Sequence, residues 1–242
     1  MPDLGALAIM RCGLYGKLPM KRDFISVSTP RAFLEQWEPW IQGGIAASRV
    51  ALGAQWQDIF LRAPIWRFWL GTEICGRPVM GSFMPSVDGV GRFFPLTAFA
   101  CGEAGGAFPA PQDDPQTEWF AEVEAMLLDT LDEDAVYDRI LEILGNLPAP
   151  ASPPAAVAAT VRDFFSATLA TADTADSLGA AFASLLAERE RRQQAAACFF
   201  WTIGGEGFPP AALLSTGLPD PNILTTFLSG QFSRPLPMES LA

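Results

Sequence analysis

The apolar positions fall into two kinds of pattern. Phe33, Leu34, Trp37, Trp40 and Ile41 recur at the three-and-four spacing of an amphipathic helix. Thr29-Pro30 stands before them as an N-cap with proline at the first helical position. Pro39 inside the run predicts a kink or a boundary, and a second helix is expected from Ile45 to Phe60. From Ile65 the period changes. Trp66 to Leu70, Pro78 to Met84 and Arg92 to Cys101 are short, aromatic-rich runs bounded by turn residues, which read as strands. The turn signal Pro85 to Gly91 joins the last two, so the three form an antiparallel meander. A shorter strand-like stretch opens at Cys12 and passes through the turn Gly16-Lys17-Leu18-Pro19.

The second half of the chain reads as helices followed by strands. Trp119, Phe120, Val123, Met126 and Leu127 line one helical face, and Val136, Tyr137, Ile140, Leu141 and Leu144 line another that stops at Gly145-Asn146. Leu147 to Pro154 is a proline-rich connector. Two further helices are expected, one carrying Val157, Val161, Phe164, Phe165 and Leu169, the other Leu178, Phe182, Leu185 and Leu186. The second ends in a charged run with a Glu188–Arg192 pair at i,i+4. Cys198 to Ile203 and Ala211 to Ser215 are strands that need a sheet to join, and the early meander supplies one. The expected fold is α/β: a three-layer sandwich with a central, largely antiparallel or mixed sheet flanked by helices. Residues 1–242 form one domain in this reading, with 1–105 strand-rich and 106–242 an acidic helical half.

Composition narrows the chemistry. The 242 residues include no histidine, which excludes Ser-His-Asp and Cys-His nucleophile systems, HExxH zinc sites and an imidazole base near neutral pH. A net charge of −11 argues against nucleic acid as a partner. The charge is uneven: residues 1–105 carry ten basic and eight acidic side chains, residues 106–242 six and nineteen. Cys12, Cys75, Cys101 and Cys198 form no CxxC pair and read as reduced, mostly buried thiols. Met1 to Met10 lacks a basic region ahead of a long apolar core, and no run of eighteen apolar residues occurs, so a soluble cytoplasmic protein without membrane insertion is expected.

Four constellations could carry chemistry. Gly13 to Pro19 with Lys21, Arg22, Asp23 and Phe24 has the glycines and lysines of a phosphate cradle but not the GxxxxGK[ST] order, so a turn with a charge cluster explains it better. In Met84 to Leu96, Ser86 and Asp88 lie two apart and Arg92 is placed to neutralise Asp88 or an anion. A serine nucleophile there has no histidine to activate it, and an Asx-type turn capped by Asp88 is the ordinary explanation. Trp37, Trp40, Trp56, Trp66, Phe68 and Trp69 suit a core before a carbohydrate platform. Asp132 and Asp134, within the acidic stretch from Asp113 to Glu142, lack EF-hand spacing and read as a solvated helix face. No cofactor or metal is expected.

Taken together, GLYGKLPMKRDF, the Trp-rich helix, PIWRFWLG and MPSVDGVGRFFPLTAF resemble the TagF family, also called ImpM or SciT, from about Cys12 to Ala100. The string Pro-Ser-x-Asp-x-x-Gly-Arg-x-x-Pro-Leu is the most specific part. Arg22 stands where that family usually has glycine before the Asp-Phe pair. The resemblance implies a cytoplasmic α/β sandwich without enzymatic activity that represses type VI secretion after translation, by sequestering a forkhead-associated-domain scaffold protein in parallel with a threonine kinase and phosphatase. The partner-binding candidates are Lys17, Lys21, Arg22, Asp23, Ser86, Asp88 and Arg92. If the two loops share one edge of the sheet, Lys17, Arg22 and Arg92 make a cationic patch beside Asp23 and Asp88. The remaining alternatives are a structural component of the secretion machine and a hydrolase using Ser86 or Asp88.

Overall fold

The computed structural model describes residues 12–103, 106–151, 161–164, 167–171, 174 and 178–232. The chain opens with strands β1 (Cys12–Gly16) and β2 (Ile25–Val27), followed by helices α1 (Arg31–Leu52) and α2 (Trp56–Arg62). Strand β3 (Trp66–Leu70), a short helix α3 (Thr72–Cys75) and strands β4 (Val79–Met84) and β5 (Leu96–Cys101) come next. Helices α4 (Thr117–Asp129) and α5 (Tyr137–Asn146) precede a hairpin of β6 (Val161–Phe164) and β7 (Ala167–Ala170). Helix α6 (Leu178–Ala195), strands β8 (Ala197–Thr202) and β9 (Ala211–Thr216) and helix α7 (Ile223–Ser229) complete it.

Seven strands form one antiparallel sheet in the order β2-β1-β5-β4-β3-β8-β9. The expected meander is β3-β4-β5, and the late strands join it through β8 on β3, as the sequence pattern implies. Both faces of the sheet are covered, so successive residues feed different cores. Trp66, Phe68 and Leu70 pack with Phe33, Trp37, Trp40, Phe200 and Phe227, beneath α1, α2 and α7. On the other face Trp69, Met80, Met84, Ala98 and Ala100 pack with Trp119, Phe120, Val123 and Ile140 from α4 and α5. The three-layer α/β sandwich is therefore present.

The indole N–H groups show why the tryptophans are core. Trp37 donates to Thr97 Oγ1 at 3.1 Å, Trp40 to the Pro219 carbonyl at 2.8 Å, Trp56 to Ser48 Oγ at 2.8 Å and Trp66 to the Phe227 carbonyl at 2.9 Å. Each ring thus buries its area and still satisfies its one polar atom. Trp69 Nε1 has no hydrogen-bond partner among the described residues, and its ring meets Phe199 edge-on. On the second face Arg67 forks to both oxygens of Glu124, at 2.5 and 2.9 Å, with its guanidinium over the Phe120 ring. This bidentate pair fixes α4 to β3 in one orientation.

Several sequence expectations change. Pro39 does not end the first helix, which runs to Leu52. Proline in a helix interior costs about 3 kcal/mol, but Pro39 is exposed and the buried face from Phe33 through Trp37, Trp40 and Ile41 to Ile45 and Ser48 is continuous. Thr29 does not cap it; its hydroxyl donates to the Val27 carbonyl and Pro30 takes the cap position. The expected helix through Val161, Phe164 and Leu169 is instead the β6–β7 hairpin, pairing Val161 with Ala170 and Phe164 with Ala167. In so short a run, β-branched and aromatic residues fit a strand as well as a helical stripe. Val157 and Phe165, like Met1 to Met10 and the end of the proline-rich connector, lie outside the described residues. Asp132 and Asp134 sit on the exposed turn between α4 and α5, not on a helix face. Helix α6 continues past Arg192 to Ala195, and Glu188 receives both Arg191 and Arg192.

Trp37→Ala is expected to remove about 3–5 kcal/mol of stability, because the ring is fully buried and Thr97 also loses its donor. Urea unfolding of the two proteins side by side measures the difference; a loss under about 1 kcal/mol contradicts this placement of the core.

Candidate functional site

The β1–β2 loop, residues 17–24, and the β4–β5 loop, residues 85–95, emerge at the same end of the sheet because β1 lies beside β5. Gly16 makes the approach possible. Its φ of +133° suits glycine alone, and a Cβ there would collide with the Pro95 carbonyl. From this point the chain turns Lys17 inward rather than out to solvent.

The β4–β5 loop is a tight hairpin tip. Val87 bridges Phe93, the Gly91 amide donates to the Asp88 carbonyl at 2.9 Å, and Gly91 takes φ +83°. Asp88 supports this turn from inside. Its Oδ1 accepts the amides of Val90 at 3.1 Å and Arg92 at 2.8 Å, the expected Asx arrangement. Its Oδ2 accepts Lys17 Nζ at 2.6 Å and Arg92 Nε at 2.7 Å. Burial acts to raise the Asp88 pKa. The Lys17 ammonium, the amide and guanidinium of Arg92 and the Val90 amide outweigh it and hold the carboxyl well below the usual carboxylate range.

Three more bonds stitch the loops together. Ser86 Oγ donates to the Lys17 carbonyl at 2.8 Å, the Gly89 amide donates to the Lys21 carbonyl at 2.8 Å, and Arg92 Nη2 donates to the Arg22 carbonyl. Lys17 Nζ lies 5.0 Å from the centre of the Phe24 ring, and Lys21 Nζ lies 3.7 Å from that of Tyr137 on α5. Phe24 in turn meets Phe94 edge-on at 4.7 Å.

All seven sequence candidates therefore come together, but on two levels. Lys17, Ser86 and Asp88 are inside, with Lys17 4% and Asp88 3% exposed. Lys21 is half-buried, while Arg22, Asp23 and Arg92 are exposed. This corrects the cationic patch: Lys17 is neutralised within the fold, Asp88 is not on the surface, and part of the Arg92 charge is spent on Asp88. The exposed apolar members, Phe24 at 48% and Val90 at 54%, are not among the seven partner-binding candidates. A turn residue two positions after Asp88 and an aromatic after a charged triplet carry no period that would mark them as displayed.

As a chemical site the arrangement is saturated. The Ser86 hydroxyl directs its proton to a carbonyl oxygen, and the Asp88 oxygens have two donors each. The four cysteines are free thiols pushed up by burial, Cys12 and Cys75 to about 11 and Cys101 and Cys198 to about 12. Among the described residues no group of three or more Cys, Asp or Glu is placed to hold a metal ion, and no helix is long and apolar enough to cross a membrane.

Asp88→Asn removes the charge that compensates Lys17, so a lowered Tm is expected at neutral pH. The folded pKa of Asp88 is depressed, so its contribution is complete above the unfolded value near ~4 and is lost as pH falls below that. The stability gap between wild type and Asp88→Asn should therefore narrow from pH 7 to pH 3. Thermal melts at both pH values test it; a gap that is constant or widens in acid contradicts the network.

The TagF N-terminal domain, Type VI secretion system-associated, is the family whose model matches, over residues 13–147. No match was found among curated proteins. Of solved structures, the crystal structure of PA0076 from Pseudomonas aeruginosa PAO1 is similar, with a TM-score of 0.76 and 31% sequence identity over 93% of this chain and 97% of that one. The family match spans more than half of the chain and contains both stitched loops and the helices that brace them. On these grounds the chain belongs to the TagF family of type VI secretion system-associated proteins.

Proposed function

We propose that this protein, an accessory or regulatory member of the type VI secretion machinery, is a non-enzymatic, cytoplasmic repressor that binds and withholds a forkhead-associated-domain scaffold protein. The observation that carries the reading is the internal fixing of the two loops. Lys17, Ser86 and Asp88 hold them from beneath, so Arg22, Asp23, Phe24, Val90 and Arg92 share one exposed, ordered surface of mixed charge and apolar character. A surface ordered before binding loses little conformational entropy when a partner docks. The same bonds weigh against a hydrolase, because they occupy the hydroxyl and carboxylate it requires.

The exposed positions permit a test that spares the fold. Arg22→Glu with Val90→Asp is expected to weaken capture of the purified forkhead-associated-domain protein by at least ~tenfold, about 1.4 kcal/mol, with Tm within ~2 °C of wild type. Unchanged capture removes the two loops as the contact. In cells, overproduction is expected to silence secretion and deletion to raise it; secretion abolished by deletion is the result of a structural component instead.

A further inference from the structure

We infer that the edge of β9, unpaired among the described residues, together with the apolar groove beside it, is a second docking surface that takes an extended segment of another protein, apolar at alternate positions and basic between them. It goes beyond the loop surface just described, which lies toward the other end of the sheet.

The edge itself is the first ground. Of the two edge strands, β2 has three residues, whereas β9 has six, Ala211 to Thr216, and pairs with β8 in six consecutive steps without a bulge. Edge strands are normally protected from added strands by lysines, inward charges, prolines or bulges. Between Ala211 and Thr216 there is no charged residue and no proline. Among the described residues β9 is paired on its β8 side alone.

The second ground is the face next to that edge. Helices α4 and α5 lie mainly over β1, β4 and β5; Phe120 of α4 reaches Trp201 on β8, and the β9 residues of this face, Ala212 and Leu214, stay exposed. There a groove of about 560 Å³ is floored by Phe199, Trp201 and Ala212 and walled by Pro111 and Pro115. Leu214 pairs with Phe199, so it stands on this same face, and it is 63% exposed. A strand added to β9 would place every second side chain beside Leu214 and Ala212.

Charge selects the occupant. The segments that build the groove and the edge, residues 103–116 and 197–232, contain no lysine or arginine. Asp113, next to the lining residue Gln112, and Glu206, in the turn between β8 and β9, are both exposed, in a chain of net charge −11. A basic segment is attracted to such a surface, whereas a second copy of this chain would bring the same acidic groups against themselves.

The probe is a fluorescein-labelled seven-residue peptide alternating lysine and valine, titrated with the full chain and followed by anisotropy. Saturable binding to wild type is expected, with at least ~tenfold weaker binding to Leu214→Lys and a loss of about threefold for the uncharged Leu214→Thr. Both variants should melt like wild type, since Leu214 is exposed. Arg22→Glu with Val90→Asp should bind the peptide normally, which separates this surface from the loops. Equal affinity for wild type and Leu214→Lys overturns the inference, because charge attraction alone barely registers one substitution in so acidic a chain. So does absence of saturation by millimolar protein, or a wild-type dimer in sedimentation velocity that Leu214→Lys dissolves.

Discussion

A carboxylate taken out of water must be given donors, and the Asp88 oxygens receive four. That requirement organises one end of the molecule. Two donors come from the turn that Asp88 begins, so the turn is specified locally. The other two are cations, and one of them, Lys17, lies 71 positions away on the strand end that Gly16 steers inward. Such a pair is weak ground for added stability, since apolar replacements of buried ion pairs are often neutral. Its use is geometric: no apolar pair supplies two acceptors to the turn amides and a charge for Lys17 at once.

The sheet makes this meeting possible. Because β5 follows β4 in sequence and lies between β4 and β1 in space, the β4–β5 loop is delivered beside the β1–β2 loop. Arg67 and Glu124 do for the second face what Lys17 and Asp88 do for the sheet's end: a charged residue from a strand is satisfied by one partner from another element. Lys17 and Lys21 are the only lysines in the chain. One is committed to Asp88 and the other to the face of Tyr137, so the helical half also braces the loops.

The strands of the meander were legible because their apolar runs end at strong turn residues, and the α1 stripe because it repeats over several turns. Pro39 misled because local propensity was set against a burial that continues on both sides of it. The β6–β7 hairpin was missed for the opposite reason: four-residue elements contain too few periods to tell a strand from a helix. At the site, the residue types and the Asx turn were readable from Ser86 to Arg92. Which charges face inward was not, because that depends on Gly16 and on a neighbour 71 positions off. Arg67 showed nothing of its partner either, since Glu124 belongs to a helix whose acidic residues otherwise face solvent.

Placing the Lys17–Asp88 pair inside the fold also bears on how the loops respond to salt. Exposed pairs are worth about 0–1 kcal/mol and are screened by salt over roughly 8–10 Å, so loops held only by surface charges would change shape with ionic strength. Here Lys17 and Asp88 are buried, so salt screens their contact far less than it would a surface pair's. Arg22 and Asp23 remain outside, with Arg92 half committed. Were a charged partner to dock here, salt would weaken the attraction between the two without loosening the buried pair that holds the loops from beneath.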